Sequence, residues 1–175
     1  PTTETDTFEG STIIGTNVPK GYHNESFGNV ALIEKKGESG VKWLIDNKQH
    51  LIIYGEGNMD DFKDPSKSTN EQKDGNTKRE TKDKTIPPWY EFESMFNSIQ
   101  VIGKVYKLGS YAFSHLNQVQ TITLNDALKT INDFAFESLS KVETIQLKKG
   151  LETLGVGVFK NCANLTSITV STENL

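Results

Sequence analysis

Three histidines, one cysteine and an oxygen-rich loop are the residues here whose types could carry chemistry. His23 lies in a polar N-terminal stretch, His50 opens the apolar run "HLIIY", and His115 lies in "YAFSHL". A histidine acts as base or ligand only when other groups orient it, and all three read as solvated polar residues. Asn58, Asp60, Asp61 and Asp64 gather oxygens of the kind Ca²⁺ takes, but the spacing and terminal Glu of an EF-hand are missing. They read as a polar loop. "GEGNMD" (55–60) lacks the third Gly and the following helix of a dinucleotide site. Asn24-Glu25-Ser26 and Asn164-Leu165-Thr166 match the glycosylation acceptor pattern, which has meaning only in a secreted eukaryotic protein. Cys162, the single cysteine, has no internal partner and reads as a small buried apolar residue. No cofactor, no metal and no catalytic group is assigned.

The elements that position these residues are set by "FAFESLSKVETIQL" (134–147) and its echoes. Phe136 and Leu139 keep helical spacing, whereas Val142, Ile145 and Leu147 end in strand alternation. The same pattern recurs 23 residues before and 23 residues after. Phe113, Phe136 and Phe159 share one phase, as do Leu116, Leu139 and Cys162, then Val119, Val142 and Leu165. Ile122, Ile145 and Ile168 follow, then Leu124, Leu147 and Val170. The leading positions agree too: Val105, Leu128 and Leu151, then Leu108, Ile131 and Leu154. Seven apolar positions therefore recur in register over three copies. Each unit is expected to hold one short helical turn and one short strand, and none can bury its apolar face alone. Stacked units cover one another, with strands in a parallel ladder about 4.8 Å apart.

The copies resemble the BspA-like, or Treponema pallidum-type, leucine-rich repeat family. That family's usual unit has an opening apolar pair, a small-x-x-Ala-Phe helix, a Cys or Leu, then Leu-x-x-Ile-x-Leu. "GVFKNCANLTSITV" is the nearest copy, with Cys162 at the usual Cys position. The other copies carry Leu116 and Leu139 there, and the third has Val158 in place of Ala112 and Ala135. Trp43, Asp46, Leu51, Ile53, Gly55, Gly57 and Met59 match a segment that often precedes the family's repeats. The resemblance covers about residues 89–175, and 41–62 more loosely. It implies an α/β leucine-rich repeat solenoid with 23-residue units behind a β-rich N-terminal cap. It also implies a non-enzymatic protein of the cell surface or a secreted one, linked to adhesion.

Composition sets outer bounds. A net charge of −4 is not the basic footprint of a nucleic-acid binder. There is no run of 18 apolar residues, so no membrane-spanning helix is expected. The chain opens at Pro1 with neither a signal peptide nor an initiator Met, as a processed or partial chain would. Residues 1–28 read as an extended arm and 29–62 as a β-meander cap of three strands, "NVALIE", "VKWLI" and "HLIIY". Residues 63–86 are expected to be a disordered polar insertion, since Lys63 to Thr85 holds no aliphatic or aromatic side chain. Residues 87–104 read as a degenerate first repeat in which Tyr90 aligns with Phe113, and 105–175 as the repeats proper. Leu175 is expected to open a further repeat.

The repeat organises one surface. Residues flanking the buried strand positions are expected on a concave face: Ser98, Gln100, Thr121, Thr123, Asn125, Thr144, Gln146, Lys148, Ser167, Thr169 and Ser171. This hydroxyl and amide ladder suits exposed strands as such. It also suits hydrogen bonding to a host or matrix protein or glycan. The alternative is a structural solenoid segment that spaces or displays another domain of a longer protein.

Overall fold

The computed structural model describes residues 40–46, 48–67 and 86–172, together with the backbone of 7–8 and 11–12. Thr7–Phe8 (β1) pairs antiparallel with Ser11–Thr12 (β2). The strand expected at "NVALIE" lies outside the described residues, as do 68–85 of the polar segment. Its first part is described: Pro65–Lys67 form a short 3₁₀ turn.

Val41–Ile45 (β3) and His50–Asn58 (β4) form an antiparallel hairpin. Asp46 closes its turn by accepting from the backbone amides of Lys48 and His50 at 2.8 and 2.9 Å. β4 then serves two parallel ladders. Its first half pairs with Ser98–Val101 (β5), and its second half with Lys104–Leu108 (β6). Gly55 and Gly57, at φ +104° and +135°, let the strand turn the corner between them.

The first ladder continues from β5 to Thr121–Thr123 (β7), and Thr144–Leu147 (β9) pairs with Ser167–Val170 (β11) in the same parallel sense. The second runs from β6 to Thr130–Ile131 (β8) and Thr153–Leu154 (β10). Partners such as Ser98 and Thr121, Thr130 and Thr153, or Thr144 and Ser167 stand 23 residues apart.

The third side departs from expectation. No α-helix occurs among the described residues; the three "YAFSHL"-type segments that begin at Tyr111, Phe134 and Gly157 are chains of turns, and the first unit has a 3₁₀ helix, Tyr90–Met95. The reason lies in where the amides go. Tyr111, Phe113 and His115 donate to the carbonyls of Asp133, Ala135 and Glu137 in the next unit at 3.0, 2.8 and 2.9 Å. Phe134, Phe136 and Ser138 do the same to Val156, Val158 and Lys160. Amides used between units cannot build an i→i−4 helix. Tyr111, Phe134 and Gly157 open these segments, and His115, Ser138 and Asn161 close them, all in the left-handed region with φ between 55° and 62°. Two such residues so close together stop helical propagation.

The core is a column of rings inside this three-sided coil. Phe113 stacks on Phe136 at 5.3 Å, and Phe136 on Phe159 at 5.9 Å. Below Phe113 the stacked ring is Trp89 at 5.6 Å, not Tyr90, so the ring position departs by one residue from the expected alignment, while Ile99 pairs with Ile122 as that alignment has it. Trp43 and Phe62 meet Trp89 edge-on and cover that end. At the other end no described residue covers the last rung: Leu154, Val156, Ile168 and Val170 are 49–71% exposed. Phe159, expected buried, is therefore only partly so, and Cys162 likewise.

Candidate functional site

β5, β7, β9 and β11 arrange the expected ladder in rows. Ser98 is paired with Thr121, and Thr144 with Ser167; Gln100 is paired with Thr123, and Gln146 with Thr169. Thr121, Thr123, Thr144, Gln146 and Thr169 are exposed, whereas Gln100, Lys148, Ser167 and Ser171 are half-buried.

Two of the expected residues are not on that surface. Ser98 is buried, in register with His50 of β4. Asn125 is also buried: its Nδ2 donates to the carbonyls of Gly103 and Val105 at 2.9 and 3.0 Å. Asn125 thus fastens one unit's corner to the one before, in a place where backbone carbonyls would otherwise lack donors.

Sequence reasoning missed the rim. A shallow open groove of about 460 Å³ lies at the start of β7 and β9, lined by Gln120, Thr121, Lys141, Glu143, Thr144 and Asn164. Its lining falls into three pairs, each 23 residues apart: Gln120 with Glu143, Thr121 with Thr144, and Lys141 with Asn164. The available signal was a polar residue directly before each strand. Lys141 Nζ donates to Gln118 Oε1 at 2.6 Å, and Asn164 Nδ2 to the Ser140 carbonyl at 2.7 Å. The amide of the second glycosylation pattern is therefore already engaged. Lys148 is paired with Asp126 at 3.2 Å, which leaves the rows nearly neutral.

His50 extends the ladder onto β4. Its Nδ1 lies 2.8 Å from Asp46 Oδ2 and 3.2 Å from Gln100 Nε2. An Asp–His pair is half of a nucleophile-activating triad. The hydroxyl paired in register with it, Ser98 Oγ, is buried without a hydrogen-bond partner, so no nucleophile–base contact forms there. Cys162 is no better placed for attack. Burial pushes its thiol up, against the lowering effect of hydrogen bonds from the Leu139 and Ser138 backbone. A protonated thiol is a poor nucleophile.

The oxygen-rich loop does not converge on one point. Asp61 Oδ1 accepts from Ser110 N at 2.8 Å, Ser110 Oγ at 3.2 Å and Asn132 Nδ2 at 2.7 Å. Asp64 Oδ1 instead accepts from Ser66 N at 3.0 Å and Ser66 Oγ at 2.6 Å. Asp61 is a clasp between the loop and two units of the coil.

Residues 88–175, just over half of the chain, match the model for the BspA type leucine rich repeat region in six copies. The chain belongs to that family. BspA-type repeats are a protein-binding repeat class, and the coil described above is a leucine-rich repeat fold. Among solved structures the chain is similar to a leucine-rich repeat protein from Eubacterium ventriosum ATCC 27560. That likeness has a TM-score of 0.42 at 16% identity over 75% of this chain and 42% of the other, so the chain spans less than half the length of that structure. No curated protein matches. No helix among the described residues is long and apolar enough to cross a membrane.

Proposed function

We propose that this BspA-type chain is a non-enzymatic adhesion module that binds a host or matrix protein or glycan through the concave rows. The observation that carries this reading is the exposed, nearly neutral ladder of Thr121, Thr123, Thr144, Gln146 and Thr169, with the groove at its rim. Hydroxyls and amides give directional hydrogen bonds of roughly 0.5–1.5 kcal/mol each, so affinity per unit is low. Useful adhesion then comes from several units or molecules engaged together. A cell-surface or secreted location fits this role.

The same reading makes the 23-residue stretch the structural unit and β3–β4 its N-terminal cap. Trp43 and Phe62 cover Trp89, and the hairpin occupies the edge of β5 that would otherwise be open. One observation favours a second role, that of a solenoid segment in a longer protein. The apolar rung at Leu154, Val156, Ile168 and Val170 has the chemistry that a further unit would cover.

The test replaces Thr121, Thr144 and Ser167 with Glu. This places like charges across neighbouring strands about 4.8 Å apart and over the contact surface. Binding to matrix-coated surfaces and a glycan panel should be lost, with a modest fall in melting temperature. A folded triple variant that adheres like the parent moves the site off the concave rows.

A further inference from the structure

Asp64, His115 and Glu137 come from the loop after β4 and from the turns of two successive units. Each offers one ligand atom, and these atoms lie within 4.8 Å of one another. His115 Nε2 stands 3.5 Å from Asp64 Oδ1. The Glu137 side chain is only 8% exposed, and those of Asp64 and His115 are 13% and 24% exposed.

The repeat itself asks for none of this. Where this unit has Glu137, its neighbours have Ser114 and Lys160; where the unit before has His115, the next two have Ser138 and Asn161. An ionised carboxylate is costly to bury and needs a strong partner. Glu137 has Lys160 at 3.3 Å, but that lysine is 56% exposed and holds it loosely.

We propose that Asp64, His115 and Glu137 bind a divalent transition-metal ion of the zinc class. One imidazole nitrogen and two carboxylate oxygens are a zinc-type donor set with a fourth position open to water, whereas Ca²⁺ wants six or more oxygens. Bonds of about 2.0–2.2 Å at tetrahedral angles separate donors by roughly 3.3–3.6 Å. The Asp64–His115 edge already has that length, and Glu137 closes on it by a small side-chain movement. The remaining contacts favour the arrangement. The amide of His115 donates to the Glu137 carbonyl at 2.9 Å, so the two turns present their side chains together. Ser66 fixes the Asp64 carboxylate, as outer-shell groups do around metal ligands. Lys160 at Glu137 and Lys67, 3.3 Å from Asp64 Oδ2, are the competitors the ion displaces; both side chains are mostly exposed. The bound ion would pin the start of the polar segment to the wall of the coil.

The test titrates the full chain with Zn²⁺ at neutral pH by calorimetry and by thermal melting, with Ca²⁺ as control. One equivalent of Zn²⁺ should bind and raise the melting temperature, with no such effect of Ca²⁺. His115→Ala and Glu137→Gln should each weaken binding at least about tenfold, with unchanged circular dichroism. His50→Ala and Cys162→Ser should bind as the parent does. Lys160→Ala separates a metal site from a plain ion-pair cluster: by freeing Glu137 it should tighten Zn²⁺ binding. Absent saturable binding below millimolar Zn²⁺, full affinity in His115→Ala, or weaker binding in Lys160→Ala would overturn the proposal.

Discussion

The indole Nε1 of Trp89 donates to the carbonyl of Ala112 at 2.7 Å, in a place closed to water. It joins the first rung of the coil to the second while its ring stacks on Phe113. Trp89→Phe keeps a stackable ring but removes the donor and leaves that carbonyl buried and unpaired. The expected cost is about 1–3 kcal/mol in urea unfolding, whereas a loss within error would mean that water or a shifted backbone supplies the bond.

Phe136 lies between Phe113 and Phe159 and is fully buried. Phe136→Ala is expected to cost roughly 3–5 kcal/mol, the range of large core truncations. Phe159→Ala removes the same side chain from a partly buried position in the last described rung, so it should cost clearly less. Paired thermal melts check the order; equal losses would show that the last rung is as closed as the middle one.

Asp61 supplies a pH signature. Partial desolvation pushes its carboxyl up, but the hydrogen bonds from Ser110 and Asn132 and the charge of Lys107 outweigh it, and the group sits below its ordinary 3.8. A carboxyl held low in the folded state stabilises it above the unfolded value, and that contribution fades as pH falls through the folded value. Asp61→Asn should therefore melt lower than the parent at pH 6, and the gap should close in acid below pH 3.8. The side chain is 52% exposed, so solvent screening keeps the gap small. A gap that persists undiminished in acid would assign the effect to lost hydrogen-bond geometry instead of charge.

Gly109 marks where the β4 loop touches the coil most closely. A methyl group there would strike the Asp60 carbonyl oxygen, and the next contacts are also backbone. Backbone on both sides cannot turn aside as a side chain can, so Gly109→Ala should cost about 1–3 kcal/mol or more. Gly150→Ala is the matched control, since its nearest neighbour would be 3.4 Å away, and it should be close to neutral. Similar melting temperatures for the two variants would show that the loop is free to lift.

The aromatic column was legible in the sequence because Phe113, Phe136 and Phe159 keep one phase, and burial against identical neighbours demands that. The turns were not. Phe136 and Leu139 have the spacing of a helix face, and only the neighbouring unit decides that the Phe136 amide points outward to Val158. Tyr111, His115 and Phe134 adopt left-handed backbone without the Gly or Asn that usually announces it; Gly157 and Asn161 in the last copy were the local hints. Trp89 instead of Tyr90 sits under Phe113 just after Pro87 and Pro88, where period counting misses the ring by one residue although it places Ile99 beside Ile122. On the strand rows, alternation gave Thr121, Thr123, Thr144 and Gln146 as exposed, and they are. It could not show that Ser98 is buried beside β4 or that Asn125 turns inward at a corner, since both depend on partners from other parts of the chain. The Asp64–His115–Glu137 cluster was unreadable for the same reason.

Among the described strands, β4 alone belongs to both ladders. It joins the two ladders at their N-terminal end, whereas every later rung belongs to one ladder only. A repeat array can nucleate at any rung, but a nucleus at the hairpin organises both ladders at once, which makes β4 the expected starting point. Kinetics should carry that polarity. Substitutions in β4 that destabilise the protein should slow folding, whereas equally destabilising ones in β11 should leave folding nearly unchanged and speed unfolding. With such a starting point, the corner at Gly55 and Gly57 would be where growth divides between the two ladders.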